Sequence, residues 1–548
     1  SDLMNGPLEY FLHWEKTVPK DIFLRQPYGD KWKTRTWSEA GVEIRKIAGY
    51  LESLQFPPHS HIALLSKNCS EWIMADLAIM MAGHVTVPVY PTLSADGVRQ
   101  IIEHSDSKAV IIGKLDNYSS QSSAIPDSVN KISISTYGIK DGAVWEELIE
   151  SQSPIVNPVT LAPDDILTII YTSGTTGTPK GVVHTMGNFD TTVKMAQKHV
   201  GFPDRPRVMS YLPLSHIAER LGGEFEGLYK GAQFSFPETL ESFAKNLVDT
   251  KPNYFIAVPR IWTKFQEKIL EKMPQKKLDR LLPIPIIGSI VKGAIKKKLG
   301  LNKASLFISG AAPLSKSTFE WFDRLGITIY QVLGMTEDCV YAHFNRPGAN
   351  KFGTVGLPME GLQVKLADNG ELRVKSSCLM KGYYKNPELT ATMFDEEGYL
   401  KTGDTGEIDS EGFLTIIGRV KDQFKTDKGK YISPAPIELK LMQNTDIEQV
   451  CIVGMGVPQP IALTVLSTHG KGKTKEELSK SLTSIIDSVN TTLESHEQIE
   501  KAVIMKSDWT VENEMITPSM KLKRNAIEKI HLPNYPKWYA EDGKIVWE

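Results

Sequence analysis

Two rhythms of apolar and polar residues run through the N-terminal part of the chain, and together they predict an α/β fold. After Trp37, apolar residues recur at Ile44, Ile47, Ala48 and Leu51, the three-and-four spacing of an amphipathic helix, with Ser38 as its expected N-cap. His61 to Leu65 is a short apolar strand, and residues 70–83 (SEWIMADLAIMMAG) are apolar all round, which predicts a helix buried on every side. A strand follows at Val85–Val89, a helix near 95–105, and a strand at Ala109–Ile112. Strands alternating with helices predict a largely parallel sheet. Further strands are expected at 166–170, at 305–308 and at 327–332.

The strand at 166–170 runs into Tyr171–Gly181, YTSGTTGTPKG. Such a stretch has little to bury. It offers glycine-freed backbone N–H groups at Gly174 and Gly177, hydroxyls on Thr172, Ser173, Thr175 and Thr176, and one cation, Lys180. Those parts suit the wrapping of a polyphosphate. The spacing is not that of G-x-x-x-x-G-K-[ST], since Lys180 is followed by Gly181.

Bulk properties narrow the setting. At 548 residues the chain exceeds what one core holds, so at least two domains are expected. With 41% hydrophobic and 23% charged residues and a net charge of −2, nothing points to nucleic-acid binding. The four cysteines are scattered and far from any metal-ligand spacing, as in a reducing compartment. Charges near the N-terminus replace the apolar core of a secretory leader, and no stretch nears the roughly 20 apolar residues of a membrane span. A soluble cytoplasmic protein is expected. Between residues 264 and 303, eleven Lys and Arg residues surround the apolar run 281–287. The simpler reading is a solvated helical face packed on its own domain; the alternative is peripheral contact with the inner face of a membrane.

Downstream lie, in order, LPLSHIAER (212–220), SGAAP (309–313), LGMTE (333–337), KTGDTG (401–406), GRVKDQFK (418–425), KGKYISP (428–434) and TPSMKLKR (517–524). Together with the glycine-hydroxyl loop, this series resembles the adenylate-forming superfamily, in particular long-chain acyl-CoA synthetases, over the whole chain. The resemblance implies a large N-terminal domain (1–418) of several subdomains, with parallel sheets plus a distorted β-barrel. It also implies a small mobile α+β C-terminal domain (419–548) hinged near Lys421.

It further implies ATP, Mg²⁺ and coenzyme A as cofactors, and a role for each matching residue. Thr172, Ser173, Gly174, Thr175, Thr176, Gly177 and Lys180 hold phosphate; Gly310, Ala311, Ala312, Leu333 and Gly334 flank adenine, with Leu333 replacing the usual aromatic. Thr336 meets the α-phosphate, and Glu337 with Thr172 holds magnesium. Asp404 and Arg419 bind ribose, and His216 sits near the carboxylate. Lys425, Gly429 and Tyr431 border the nucleotide and the pantetheine path. Lys521 is the mobile catalytic lysine, with Lys523 as its rival. The activity implied is conversion of a fatty acid to acyl-AMP and then to acyl-CoA. Alternatives left open are transfer to a carrier-protein phosphopantetheine, and a medium-chain or aryl acid as substrate.

Overall fold

The computed structural model describes residues 4–172, 178–310, 312 and 314–548. The predicted alternation forms an eight-stranded sheet. Its parallel part runs from Ile166–Thr172 through Val85–Val89, His61–Leu65, Ala109–Ile112 and Asn130–Ser133 to Ala143–Val144. Lys180–Thr185 and then Gly382–Tyr383 close the other side in antiparallel pairing. The inner strands His61–Leu65, Val85–Val89 and Ala109–Ile112 are almost wholly buried and largely apolar because both faces are covered. One cover is the Ser70–Met81 helix, all twelve residues of which are buried.

The N-cap of the Trp37–Ser53 helix lies two residues before the Ser38 that the sequence reading places there. It is Thr36, whose hydroxyl accepts from the Glu39 N–H while the Glu39 carboxylate accepts from the Thr36 N–H. Thr36-x-x-Glu39 satisfies two end donors at once, which Ser38 cannot do.

A second sheet orders Tyr254–Ala257, Leu306–Ser309 and Ile329–Leu333 in parallel, then His343–Phe344 and Leu357–Pro358 antiparallel. Where a distorted barrel was expected, the strands Gln363–Leu366, Glu371–Lys375, Leu400–Ile408 and Leu414–Arg419 form an open antiparallel sheet. Its two outer strands do not pair with each other, so no barrel closes among the described residues. A final sheet, Ile447–Val453, Ile461–Leu466, Lys501–Ile504 and Ile545–Trp547, carries its own apolar clusters against the Lys475–Asn490 and Arg524–His531 helices.

The basic stretch folds as three helices, Pro259–Lys272, Gln275–Leu281 and Ile287–Leu299. Trp262, Phe265, Ile269 and Leu278 pack inward onto the second sheet. Pro283 to Ile287, however, are all exposed. Ile286 is 76% exposed and has a φ of 71°, a conformation a β-branched residue adopts only under constraint. No helix among the described residues is long and apolar enough to cross a membrane.

One buried ion cluster ties the segment after LPLSH to the central sheet. Arg220 donates to both oxygens of Asp76, at 2.7 and 2.9 Å, and to Glu224 at 3.0 Å; all three side chains are fully buried. Burial opposes ionisation of Asp76, but Arg220 and the hydrogen bonds around it outweigh that and hold its pKa down. Burial and the Asp76 charge push Glu224 well up, leaving one cation, one anion and a neutral acid. Arg220→Ala, which strands the Asp76 charge, is expected to cost about 3–5 kcal/mol. Glu224→Gln, which removes no charge, should cost far less. Thermal and urea unfolding of the two variants check this difference.

Candidate active site

The site assembles at strand ends. Thr172 ends one strand and pairs in register with Lys180, which begins the next. They face each other at the mouth of the glycine-hydroxyl loop; Ser173, Gly174, Thr175, Thr176 and Gly177 themselves lie outside the described residues, as does Ala311. Gly310 and Ala312 follow the Leu306–Ser309 strand, and the Ala312 carbonyl accepts from the Gln331 side chain at 3.1 Å.

Beside them, the Ile329–Leu333 strand leads into the Thr336–Asp338 turn. Gly334 is obligatory there, because a Cβ would lie 2.0 Å from the Val340 carbonyl oxygen. Neighbours from two other segments fix the turn. The Thr336 carbonyl accepts from His184 Nε2 at 2.6 Å, and burial pushes the His184 pKa down to about 4, so the ring is neutral. The Glu337 carbonyl accepts from the Met380 N–H at 2.8 Å, and its Oε2 accepts the Tyr383 hydroxyl at 2.7 Å. Glu337 makes no ion pair among the described residues; its direct side-chain partner is the neutral Tyr383 hydroxyl.

Asp404 and Arg419 stand opposite each other on adjacent strands, with Arg419 Nη1 3.9 Å from Asp404 Oδ1. Burial raises the Asp404 pKa against the opposing pull of Arg419 and Lys521. Lys421, just past the strand, has its pKa lowered by burial and by Arg419 and Lys180, while Asp422 and Glu337 act the other way. Lys521 reaches the same group from the last part of the chain. Its pKa is lowered by desolvation and then by Arg419 and Lys421, and supported by Asp404 and Glu337. The side chain is nonetheless accessible to solvent, so it stands in a crowded open cleft rather than in a core. A tight loop holds it: Lys521 N–H donates to Thr517 Oγ1 at 3.0 Å, and Thr517 N–H donates to the Lys521 carbonyl at 2.8 Å. Lys523 instead starts the Arg524–His531 helix, its N–H bonded to the Met515 carbonyl.

An apolar void of about 40 Å³ lies alongside, walled by Ala218, Gly222, Ile256, Ile308, Gly310, Val332, Leu333, Gly334, Val340 and Tyr341. Leu333 gives this wall an aliphatic face, while Tyr330, paired across the sheet with Ile308, is partly buried against the core. The segment Arg220–Phe225 is a π-helical turn, a feature common at functional sites, and it brings Gly222 against the void. A Cβ on Gly222 would meet Ile256 at 2.8 Å.

At the entrance to this turn, His216 Nδ1 accepts from the Ala218 N–H at 3.1 Å. Burial, with the Lys521 charge, pushes its pKa down to about 4. The ring is therefore neutral near pH 7, with its proton on Nε2 as a donor. Glu219, the next buried acid, accepts from Ser210 Oγ at 2.9 Å, and burial pushes it up to about 8.

Two family models account for most of the chain. That of the AMP-binding enzyme matches residues 11–384, and that of the AMP-binding enzyme C-terminal domain matches residues 421–541. The chain belongs to the AMP-binding enzyme family. Long-chain-fatty-acid–CoA ligase FadD15 of Mycobacterium bovis is 27% identical, across 94% of this chain and 93% of the relative. The adenylation domain of the carboxylate reductase from Mycobacterium chelonae has the same fold at a TM-score of 0.83, with 20% identity over 98% of this chain and 91% of that one. A benzoate CoA ligase from Burkholderia xenovorans gives a TM-score of 0.74 with 21% identity, over 96% and 100% of the two chains. Activation of a carboxylic acid by adenylation, with ATP, is the chemistry of this AMP-binding enzyme.

In this AMP-binding enzyme, Lys180, His216, Glu337, Asp404, Arg419, Lys421 and Lys521 act on one another's charge in a continuous chain. Lys425, Gly429 and Tyr431 stand apart, on an exposed hairpin where the Lys425 ammonium lies 4.6 Å over the Tyr431 ring. Among the described residues, no hydrogen bond or ion pair joins that hairpin to the Asp404–Lys521 group. Sequence reading missed His184, Tyr383, Ile256 and Tyr341. The first two act through long-range contacts that follow no spacing rule, and the last two are ordinary core residue types.

The Glu219 shift has a consequence for stability. An unfolded Glu ionises near its ordinary 4.5, whereas the folded one ionises near 8. The contribution is complete below the unfolded value and is lost as pH rises through the folded one. Glu219→Gln is therefore expected to flatten the fall of the thermal midpoint between about pH 5 and pH 9, which scanning calorimetry across that range measures.

Proposed function

We propose that this enzyme is a fatty acid–CoA ligase acting on long-chain acids in two steps at one site. A carboxylate oxygen attacks the α-phosphorus of ATP, the bond to the β-phosphate oxygen breaks, and acyl-AMP and pyrophosphate form. The CoA sulfur then attacks the acyl carbonyl, AMP leaves with the electron pair of the broken C–O bond, and the thiol proton passes to solvent. The observation that carries the reading is the meeting of Lys521 with Asp404, Arg419 and Glu337, residues remote in sequence, in one cleft.

Adenylation brings two anions together, so its barrier is mainly electrostatic. Lys521 aligns the carboxylate with the α-phosphate. Lys180, with the loop at 173–177, holds the leaving pyrophosphate. Thr336 meets the α-phosphate, Asp404 and Arg419 hold the ribose, and Gly310, Ala311, Ala312, Leu333 and Gly334 receive the adenine. His216 donates from Nε2 to the substrate carboxylate. No general base is needed, because the nucleophile is already ionised. Glu337, a hard carboxylate free of ion pairs, fits magnesium together with the Thr172 hydroxyl, and the ion would offset phosphate charge. For the second step, the domain beginning at residue 419 turns about Lys421, withdraws Lys521, and brings Lys425, Gly429 and Tyr431 to a path for pantetheine.

The near-full-length likeness to fatty acid–CoA ligases supports CoA as acceptor and a long acyl chain. A void of about 40 Å³ is small beside ligand pockets of roughly 300–1,000 Å³, so wall side chains move to admit any acyl group. A compact acid of the benzoate type, which asks for the least movement, is the second reading. The carboxylate-reductase likeness keeps a carrier-protein thiol as the alternative acceptor. A panel of acids assayed for CoA-dependent AMP release separates these readings, with the largest kcat/KM expected for long-chain acids. Lys521→Ala should abolish acyl-AMP formation while sparing thioester formation from supplied acyl-AMP; equal loss of both steps would reject its role.

The acid is proposed to come from an anionic membrane surface on the cytoplasmic side. Ile284, Ile286, Ile287 and Ile290 are exposed together, and Lys292, Lys296, Lys297 and Lys298 share the Ile287–Leu299 helix with the last two. Such a patch gains from apolar insertion and from charge. Ile286→Asp with Ile290→Asp should abolish flotation with phosphatidylglycerol vesicles and leave activity on a soluble short-chain acid unchanged; flotation that persists in the variant sinks the idea.

A further inference from the structure

The Pro259–Lys272 helix touches the C-terminal part of the chain at two places. Arg260, in its first turn, donates from Nη1 to the Ile447 carbonyl at 3.1 Å and pairs with the Glu448 carboxylate. Farther along the helix, Glu267 lies 3.6 Å from His469 Nδ1, and His469 Nε2 lies 3.7 Å from Asp446 Oδ1. Asp446 is itself buried and anchored through Oδ2, to Lys473 at 2.9 Å and to Ser481 at 2.5 Å. Residues 446–448 begin the Ile447–Val453 strand, which belongs to the same sheet as the segment leading to Lys521.

These contacts matter because of what else joins the two parts. The Pro434–Leu441 helix packs on the Leu414–Arg419 strand, and Gly418 sits close to Ser433; both lie beside the chain crossing at 419–422. Contacts next to a pivot resist rotation weakly, since a turn there displaces their atoms little. Arg260 sits on a helix packed against a different sheet, so rotation about the crossing must separate it from Glu448. The pair is partly desolvated, with side-chain exposures of 24% and 35%, which makes it stronger than a fully wet surface pair. The helix also follows directly from the Tyr254–Ala257 strand, whose Ile256 walls the apolar void. The clamp is thus mounted on the acyl-binding wall.

We propose that Arg260, through Glu448 and the Ile447 carbonyl, is a positioning residue for the adenylation step: it latches the C-terminal domain in the pose that seats Lys521 beside Asp404, and it must release before the thioester step. The inference rests on the two-step reading above. Arg260 touches no reacting atom in this role; it acts through the placement of Lys521.

The test measures the two half-reactions separately in the full chain, for wild type, Arg260→Ala, Glu448→Gln and the double variant. Wild type comes first: if it forms no acyl-AMP, or transfers none to CoA, the two-step reading fails independently of the latch. Given an active wild type, Arg260→Ala is expected to lower kcat for fatty-acid-dependent pyrophosphate exchange about tenfold, the factor matching about 1.4 kcal/mol. Thioester formation from supplied acyl-AMP should be unchanged or faster, and KM for ATP unchanged. Glu448→Gln should do the same to a smaller degree, and the double variant should be no worse than Arg260→Ala, as for two halves of one contact. Equal loss in both half-reactions, no loss in pyrophosphate exchange, or additive losses in the double variant would each overturn the latch. An unchanged thermal midpoint in Glu448→Gln keeps the comparison valid where Arg260→Ala folds poorly.

Discussion

A guanidinium sealed in the protein interior underlies the architecture of the site. Arg220 cannot remain there without Asp76, and Asp76 cannot remain charged without Arg220. One partner belongs to the helix buried against the central sheet, the other to the π-helical turn that carries the wall of the void. The pairing therefore locks the position of a chain segment that has no strand to hold it. His216, Ala218 and Gly222 all take their places from that lock. A third, neutral acid, Glu224, accepts one more hydrogen bond from the guanidinium without adding a charge that the interior would have to bear.

Around this anchor, the polar groups come from strand ends, as is usual where open α/β sheets meet a ligand. Thr172 ends one strand while Gly310 and Thr336 follow two others, and strand pairing, with the His184 bond to the Thr336 carbonyl, fixes them before any ligand arrives. The cations are supplied differently. Arg419 is fixed by its strand pairing opposite Asp404, whereas Lys521 stands on a short loop of another sheet and is held only by Thr517 and its neighbours. On the proposed scheme a fixed part binds and a placed part aligns, which is the division expected of an enzyme that reshapes one site for two reactions.

Much of this was legible in the amino-acid order. Strand and helix alternation in the first hundred residues is a strong periodic signal, and the glycine-hydroxyl loop, Thr336-Glu337, Asp404 and Lys521 sit in short motifs whose chemistry is local. The helix cap was misplaced by two residues because Ser38 and Thr36 are equally good hydroxyls; only the reciprocal bond to Glu39 distinguishes them. The barrel expected from resemblance is an open sheet, because closure depends on the pairing of edge strands that are remote in sequence. His184 and Tyr383 were invisible because each bonds to a turn some forty or more residues away, and nothing in their neighbours marks it. The size of the void was equally hidden, since it is the residue of packing among side chains from four segments.

The loop bearing Lys521 sets a limit on timing. A single lysine serves the first reaction, and its seat must be vacated before the second, so on the proposed scheme the two reactions can never overlap within one molecule. Every turnover includes one departure and one return of a whole domain through solvent. However fast the bond-making steps become, throughput is bounded by that round trip, and a more viscous solvent would slow the enzyme even at saturating substrate.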